Sequence, residues 1–121
     1  WVLGSSGQST HFPYTDGTVY DDCGANARQT TVNPTPALTS FRLYNVTSTG
    51  TWTSFLDGTQ IYTAGSVTVG FTSAAAIGKS AGSYFLDGDI AEVIAFDAAL
   101  SGGDKTALKA YFADRYALTI A

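Results

Sequence analysis

Hydrophobic and polar positions alternate in short runs along most of this chain, and one run stands apart. Residues 84–100, YFLDGDIAEVIAFDAAL, carry apolar side chains at nearly every position of 90–96, with Glu92 the exception. A strand covered on both faces has this continuous apolar character, so 90–96 is predicted to be a central strand. Asp87-Gly88 just before it suits a two-residue hairpin, because both central positions tolerate positive φ. Upstream, shorter strands are predicted at 1–3, 10–14, 18–22, 28–32 and 38–47, then at 51–56, 59–63, 67–71 and 74–78. Pro13 confines 10–14 to an edge. Asp16-Gly17 and Asp57-Gly58 are further turn signals, and 38–63 reads as a three-strand antiparallel meander. Pro34 and Pro36 disfavour both helix and central strand and mark a surface loop.

One helix is predicted, over 102–117. Ser101 suits its N-cap, with Asp104 three residues on. Leu108, Tyr111, Phe112 and Tyr116 share a face that is expected to pack on the sheets. The tetrapeptide Phe-Leu-Asp-Gly occurs at 55–58 and again at 85–88, as two hairpins with the same turn problem would require.

Composition narrows the class. The 121 residues suit one domain, 1–121, and only 13% are charged. Tyr and Phe number seven each, a profile common in secreted or virion-surface β proteins. The net charge of −4 and six scattered Lys and Arg provide no basic stripe, which argues against nucleic acid as a partner. No apolar run approaches the ~20 residues of a membrane span. The single Cys23 excludes an internal disulfide; it reads as a half-buried thiol, or else as half of an intermolecular bridge. Without an initiating Met or a signal peptide, the chain reads as a processed form, an excised domain or a partial sequence.

The segment LDGDIAEVIAFDAALSGGDKTALKAYFADRYAL resembles the C-terminal signature of the laminin-G-like, concanavalin A-like lectin/glucanase superfamily. The matching positions are Gly88, Asp89, Ile90, Ala91, Glu92 and Val93, then Ala99, Leu100 and Ser101, then Tyr111-Phe112. WTSFLDGT at 52–59 resembles the same family's Asp-Gly hairpin, and the likeness spans roughly 40–118. The resemblance implies an all-β antiparallel β-sandwich of jelly-roll type with one C-terminal α-helix. The family pattern has further strands upstream of Trp1, so an edge is expected to be open or completed by another chain. For function the resemblance implies a lectin or adhesion module, a phage or bacterial surface component, or a hydrolase.

The candidate chemistry is sparse. Asp87, Asp89 and Glu92 have the spacing D-x-D-x-x-E, which resembles the acidic signature of retaining glucanases, where two carboxylates serve as nucleophile and acid/base. Here Asp is shorter than the family's Glu, Gly88 makes a turn, and no row of aromatics forms a sugar cleft beside it. Asp87 and Asp89 therefore read as turn residues bonded to nearby amides, and Glu92 as a buried carboxylate satisfied by Arg, Tyr or backbone. Calcium is the one cofactor the sequence leaves open, with Asp21, Asp22 and Asn26 as its ligands. His11, the only histidine, lacks a G-x-S-x-G partner and reads as structural or surface. Asn45-Val46-Thr47 fits a glycosylation sequon inside a predicted strand. Sugar rings stack on aromatic faces, so Tyr14, Tyr20, Tyr62 and Tyr84, with Asp21, are the candidate ligand-binding residues.

The expectation is a non-enzymatic domain that binds a glycan or cell-surface ligand, outside the cell or on a virion, without entering a membrane. The alternatives are a structural or decoration component that self-associates through open strand edges, and a glycoside hydrolase.

Overall fold

A computed structural model describes residues 1–35 and 37–121; Pro36, part of the loop expected between the N-terminal strands and the meander, lies outside them. The chain is predominantly β, with antiparallel strand pairs and one helix. In chain order the strands are β1 (Val2–Gly4), β2 (Tyr20–Asp21), β3 (Gln29–Thr30), β4 (Tyr44–Ser48), β5 (Trp52–Leu56), β6 (Thr59–Ala64) and β7 (Phe71–Ala76). They pair as β1 with β7, β2 with β3, and β4-β5-β6. The helix, α1, spans Gly102–Tyr116.

The meander is the best-formed element. Ser48 lies opposite Trp52 and Leu56 opposite Thr59, with one register shift between Ser54 and Phe55. Along β5 burial alternates: Trp52, Ser54 and Leu56 are buried, while Thr53 and Phe55 are partly open. The β5–β6 turn is the one its Asp-Gly dipeptide demands, with Asp57 at φ 48° and Gly58 at φ 83°. Asp57 also reaches back. Its carboxylate accepts from the Leu43 amide and the Arg42 guanidinium, each at 2.9 Å.

A loop after β2 crosses the inner face of the meander. Trp52 Nε1 donates to the Cys23 carbonyl at 2.8 Å, Ser48 to the Gly24 carbonyl at 2.6 Å, and Tyr44 to Asp21 at 2.8 Å. Val19, Ala25, Trp52 and Leu56 are buried there. Gly4 is required at the crossing, since a Cβ would collide with the Asp22 and Ala25 carbonyl oxygens.

The helix begins where its cap predicts. The Ser101 hydroxyl accepts from the Asp104 amide at 3.2 Å and donates to the Asp104 carboxylate at 2.7 Å. It ends at Ala117 in the left-handed conformation, and the tail returns to the meander, where the Ala121 amide donates to the Asp57 carbonyl at 2.8 Å. Only part of the expected aromatic face is covered: Phe112 is buried, while Tyr111 is 40% exposed.

Several expectations are corrected. The apolar run 90–96 is not a central buried strand: it is irregular, and Ile90, Val93, Ile94 and Phe96 are 41–52% exposed. Burial on both faces needs neighbours on both edges and both sides. Among the described residues no backbone–backbone hydrogen bond reaches 87–100. Asp87-Gly88 is no primed hairpin turn, because neither residue takes positive φ. Reversal occurs earlier, around Gly82 at φ 80°, with Ser80 N bonded to Tyr84 O and Leu86 N to Gly78 O. The 10–14 strand reduces to a His11–Tyr20 bridge, with the Phe12–Pro13 peptide bond cis. Residues 38–47 are strand only from Tyr44, and 67–71 contributes only a Val69–Ala25 bridge before β7. The anticipated 74–78 strand is displaced to Phe71–Ala76.

Candidate functional site

Two hairpins build the site. The first is set by Asp16-Gly17. Tyr14 N bonds Thr18 O, Gly17 N bonds Tyr14 O, and the Asp16 carboxylate accepts from the Thr18 amide at 2.8 Å. That turn fixes the register, so His11 and Tyr20 exchange both backbone bonds, at 2.9 and 3.1 Å. The second hairpin, around Gly82, presents Tyr84. The two are clamped by buried polar contacts: Thr10 N donates to Ser80 Oγ and Ser9 Oγ to Ala81 O, each at 2.9 Å.

This clamp gathers aromatic rings around one imidazole. His11 lies edge-on to Tyr14 at 4.8 Å, to Tyr84 at 5.6 Å and to Tyr20 at 6.0 Å between ring centroids. Arg28 stacks over Tyr20 at 4.8 Å, its guanidinium fixed by the Ser9 carbonyl at 2.9 Å. Beside the cluster is a cleft of about 280 Å³ lined by Trp1, His11, Phe12, Lys79, Tyr84 and Asp87, with Thr10 and Ser80 also on its wall. Burial, then the nearby Arg28 charge, pushes the His11 pKa below its ordinary 6.5. The imidazole is therefore neutral at pH 7, with one ring nitrogen free to accept a hydrogen bond. Tyr14 and Tyr84 remain open, at 46% and 60% exposure.

Of the residues proposed from sequence, Tyr14, Tyr20 and Tyr84 come together. Tyr62 does not join them; it packs on Trp52 at 5.9 Å in the meander. Asp21 is completely buried and accepts from Trp1 Nε1, the Cys23 amide and the Tyr44 hydroxyl at 2.7–2.9 Å. Burial pushes its carboxyl above the ordinary 3.8 despite those donors. Asp22 is also buried and takes the Gly4 amide at 3.3 Å and the Ser6 hydroxyl. Asn26 is exposed, its amide on the Thr68 carbonyl at 3.1 Å. The three proposed calcium ligands thus face different surroundings. Among the described residues, no three His, Cys, Asp or Glu side chains group closely enough to hold a metal ion. Cys23 is half-buried, and burial with the two neighbouring aspartates pushes its thiol up to about 12.

The D-x-D-x-x-E residues are divided between two places. Asp87 lines the cleft, whereas Glu92 faces the helix, accepting from Tyr111 at 3.0 Å and Tyr116 at 2.8 Å with Arg115 at 3.7 Å. The Tyr and Arg partners expected of Glu92 are there, but its side chain is 25% exposed rather than buried. Asp87 and Asp89 bond no backbone amide among the described residues, contrary to their reading as turn-capping groups.

Sequence reasoning did not place His11 among these rings. The signal was present in the Asp16-Gly17 turn, whose register places 11 opposite 20 and brings Tyr14 onto the same hairpin. A second groove of about 330 Å³ lies along the helix, lined by Phe96, Leu100, Leu108 and Tyr111. No helix among the described residues is long and apolar enough to cross a membrane. Comparison with known protein families, curated proteins and solved structures returned no match.

Proposed function

We propose that this chain is a non-catalytic binding or adhesion domain that takes a glycan in the cleft beside His11. The convergence of Tyr14, Tyr20 and Tyr84 on that imidazole, at the mouth of a cleft of about 280 Å³, carries the reading. Apolar ring faces beside a few polar groups suit a sugar, which has C–H-rich faces and hydroxyl edges. Tyr84 supplies an open face, His11 an acceptor, and Lys79 and Asp87 a donor and an acceptor at the rim. The separation of Asp87 from Glu92 supports a binding role over hydrolysis. The proposed scaffold is a jelly-roll sandwich of the laminin-G-like kind, working outside the cell or on a virion surface.

A glycan array probed with calcium and again with chelator tests the reading. At least one glycan should bind and be recovered intact, and Tyr84→Ala should weaken it about ten-fold, the ~1.4 kcal/mol of one stacked ring. Absence of any bound glycan under both conditions contradicts it.

A second reading, a component of a larger virion or extracellular assembly, is favoured by a different observation. A folded chain of 12.6 kDa exposes about 6,200 Å². This chain exposes 7078 Å², and fourteen large apolar residues among the described ones are more than a third exposed. Surface of that kind marks interaction sites. A strictly monomeric sedimentation profile at all concentrations removes this second reading.

A further inference from the structure

Residues 87–100 combine three properties. They make no backbone–backbone hydrogen bond among the described residues. They expose apolar side chains, with Val93 at 43%, Ile94 at 41% and Phe96 at 52%. They are tethered by one carboxylate, Glu92, held by Tyr111 and Tyr116 of α1. The tether holds Glu92 against the helix, while the main-chain groups of 87–100 have no backbone partner among the described residues. Unpaired donors and acceptors flanked by apolar side chains are a template for an added strand.

The charges select the occupant. Asp87, Asp89, Glu92 and Asp97 fall within 84–100, and no Lys, Arg or His does. A second copy paired antiparallel about Val93 would set Asp89 opposite Asp97. Like charges directly opposite destabilise a sheet, so self-pairing is disfavoured. We propose that residues 90–96 are a strand-addition site for an extended segment of a partner protein, apolar at its centre and carrying Lys or Arg at its ends. The inference goes beyond both readings and needs neither the glycan cleft nor self-association.

The probe is a synthetic peptide of alternating Val and Thr with Lys at both ends, compared with a counterpart ending in Glu. Amide hydrogen exchange of the intact chain is the readout. The Lys-ended peptide should slow exchange at alternate amides within 90–96, because successive N–H groups of a strand point to opposite edges. The Glu-ended peptide should bind about ten-fold more weakly at low ionic strength, a gap that closes as salt is added. Replacing Asp89→Lys together with Asp97→Lys should reverse the preference. Equal binding of the two peptides, or no protection from either, overturns the proposal. Protection that rises with protein concentration alone overturns it too and makes a second copy the occupant.

Discussion

At Asp21 three donors converge on one buried carboxylate, joining Trp1, the Cys23 amide and the meander residue Tyr44. Burial raises its pKa above 3.8, so the folded state binds this proton more tightly than the unfolded chain. Its contribution to stability is therefore complete below about 3.8 and is lost as pH rises through the raised value. Urea unfolding across that window should show the stability of the parent chain falling with rising pH, and Asp21→Asn should remove that slope. His11 has the opposite sign. Its lowered pKa contributes stability above 6.5 that is lost as pH falls through the depressed folded value. These roles were only partly legible in the sequence. Asp21 appeared as an open ligand because a carboxylate beside another resembles a metal site. Only the packing of Trp1 and Tyr44 against it reveals a structural acceptor.

Among the elements, α1 was the most legible. Ser101, Asp104 and the spacing of Leu108, Tyr111, Phe112 and Tyr116 are local signals, and a helix satisfies its backbone locally. Ser101→Ala removes the acceptor for the Asp104 amide and should cost ~1 kcal/mol, with loss of helical circular dichroism in the first turn. The meander was readable from Tyr44 onward, because Asp57-Gly58 fixes its register. The same dipeptide at 87–88 failed as a signal for a physical reason. A turn closes a hairpin only when the strand beyond it finds its partner, and 90–96 finds none among the described residues. Its apolar pattern reads as a covered strand, yet the described residues leave Ile90, Val93, Ile94 and Phe96 exposed.

Across the whole molecule the buried apolar set is small: Val19, Ala25, Trp52, Leu56 and Phe112 among the described residues. Trp52 contributes the largest of these side chains and also bonds the Cys23 carbonyl at 2.8 Å. Trp52→Ala should cost ~3–5 kcal/mol. Against a total of ~5–15 kcal/mol for a domain, the urea midpoint should fall by at least about a fifth. The cleft beside His11 depends on the same long-range organisation. Its walls are Trp1 and residues 10–13, 78–80 and 84–87, joined through Thr10 and Ser80, a contact no local pattern announces.

The chain's single histidine gives that cleft its own reporter. In a magnetic-resonance titration with a glycan that binds, the His11 ring signals should shift progressively and saturate, and in Tyr84→Ala the same shift should need about ten-fold more glycan. Glycan binding that leaves the His11 ring signals unmoved in the parent chain would contradict the assignment of this cleft as the binding site.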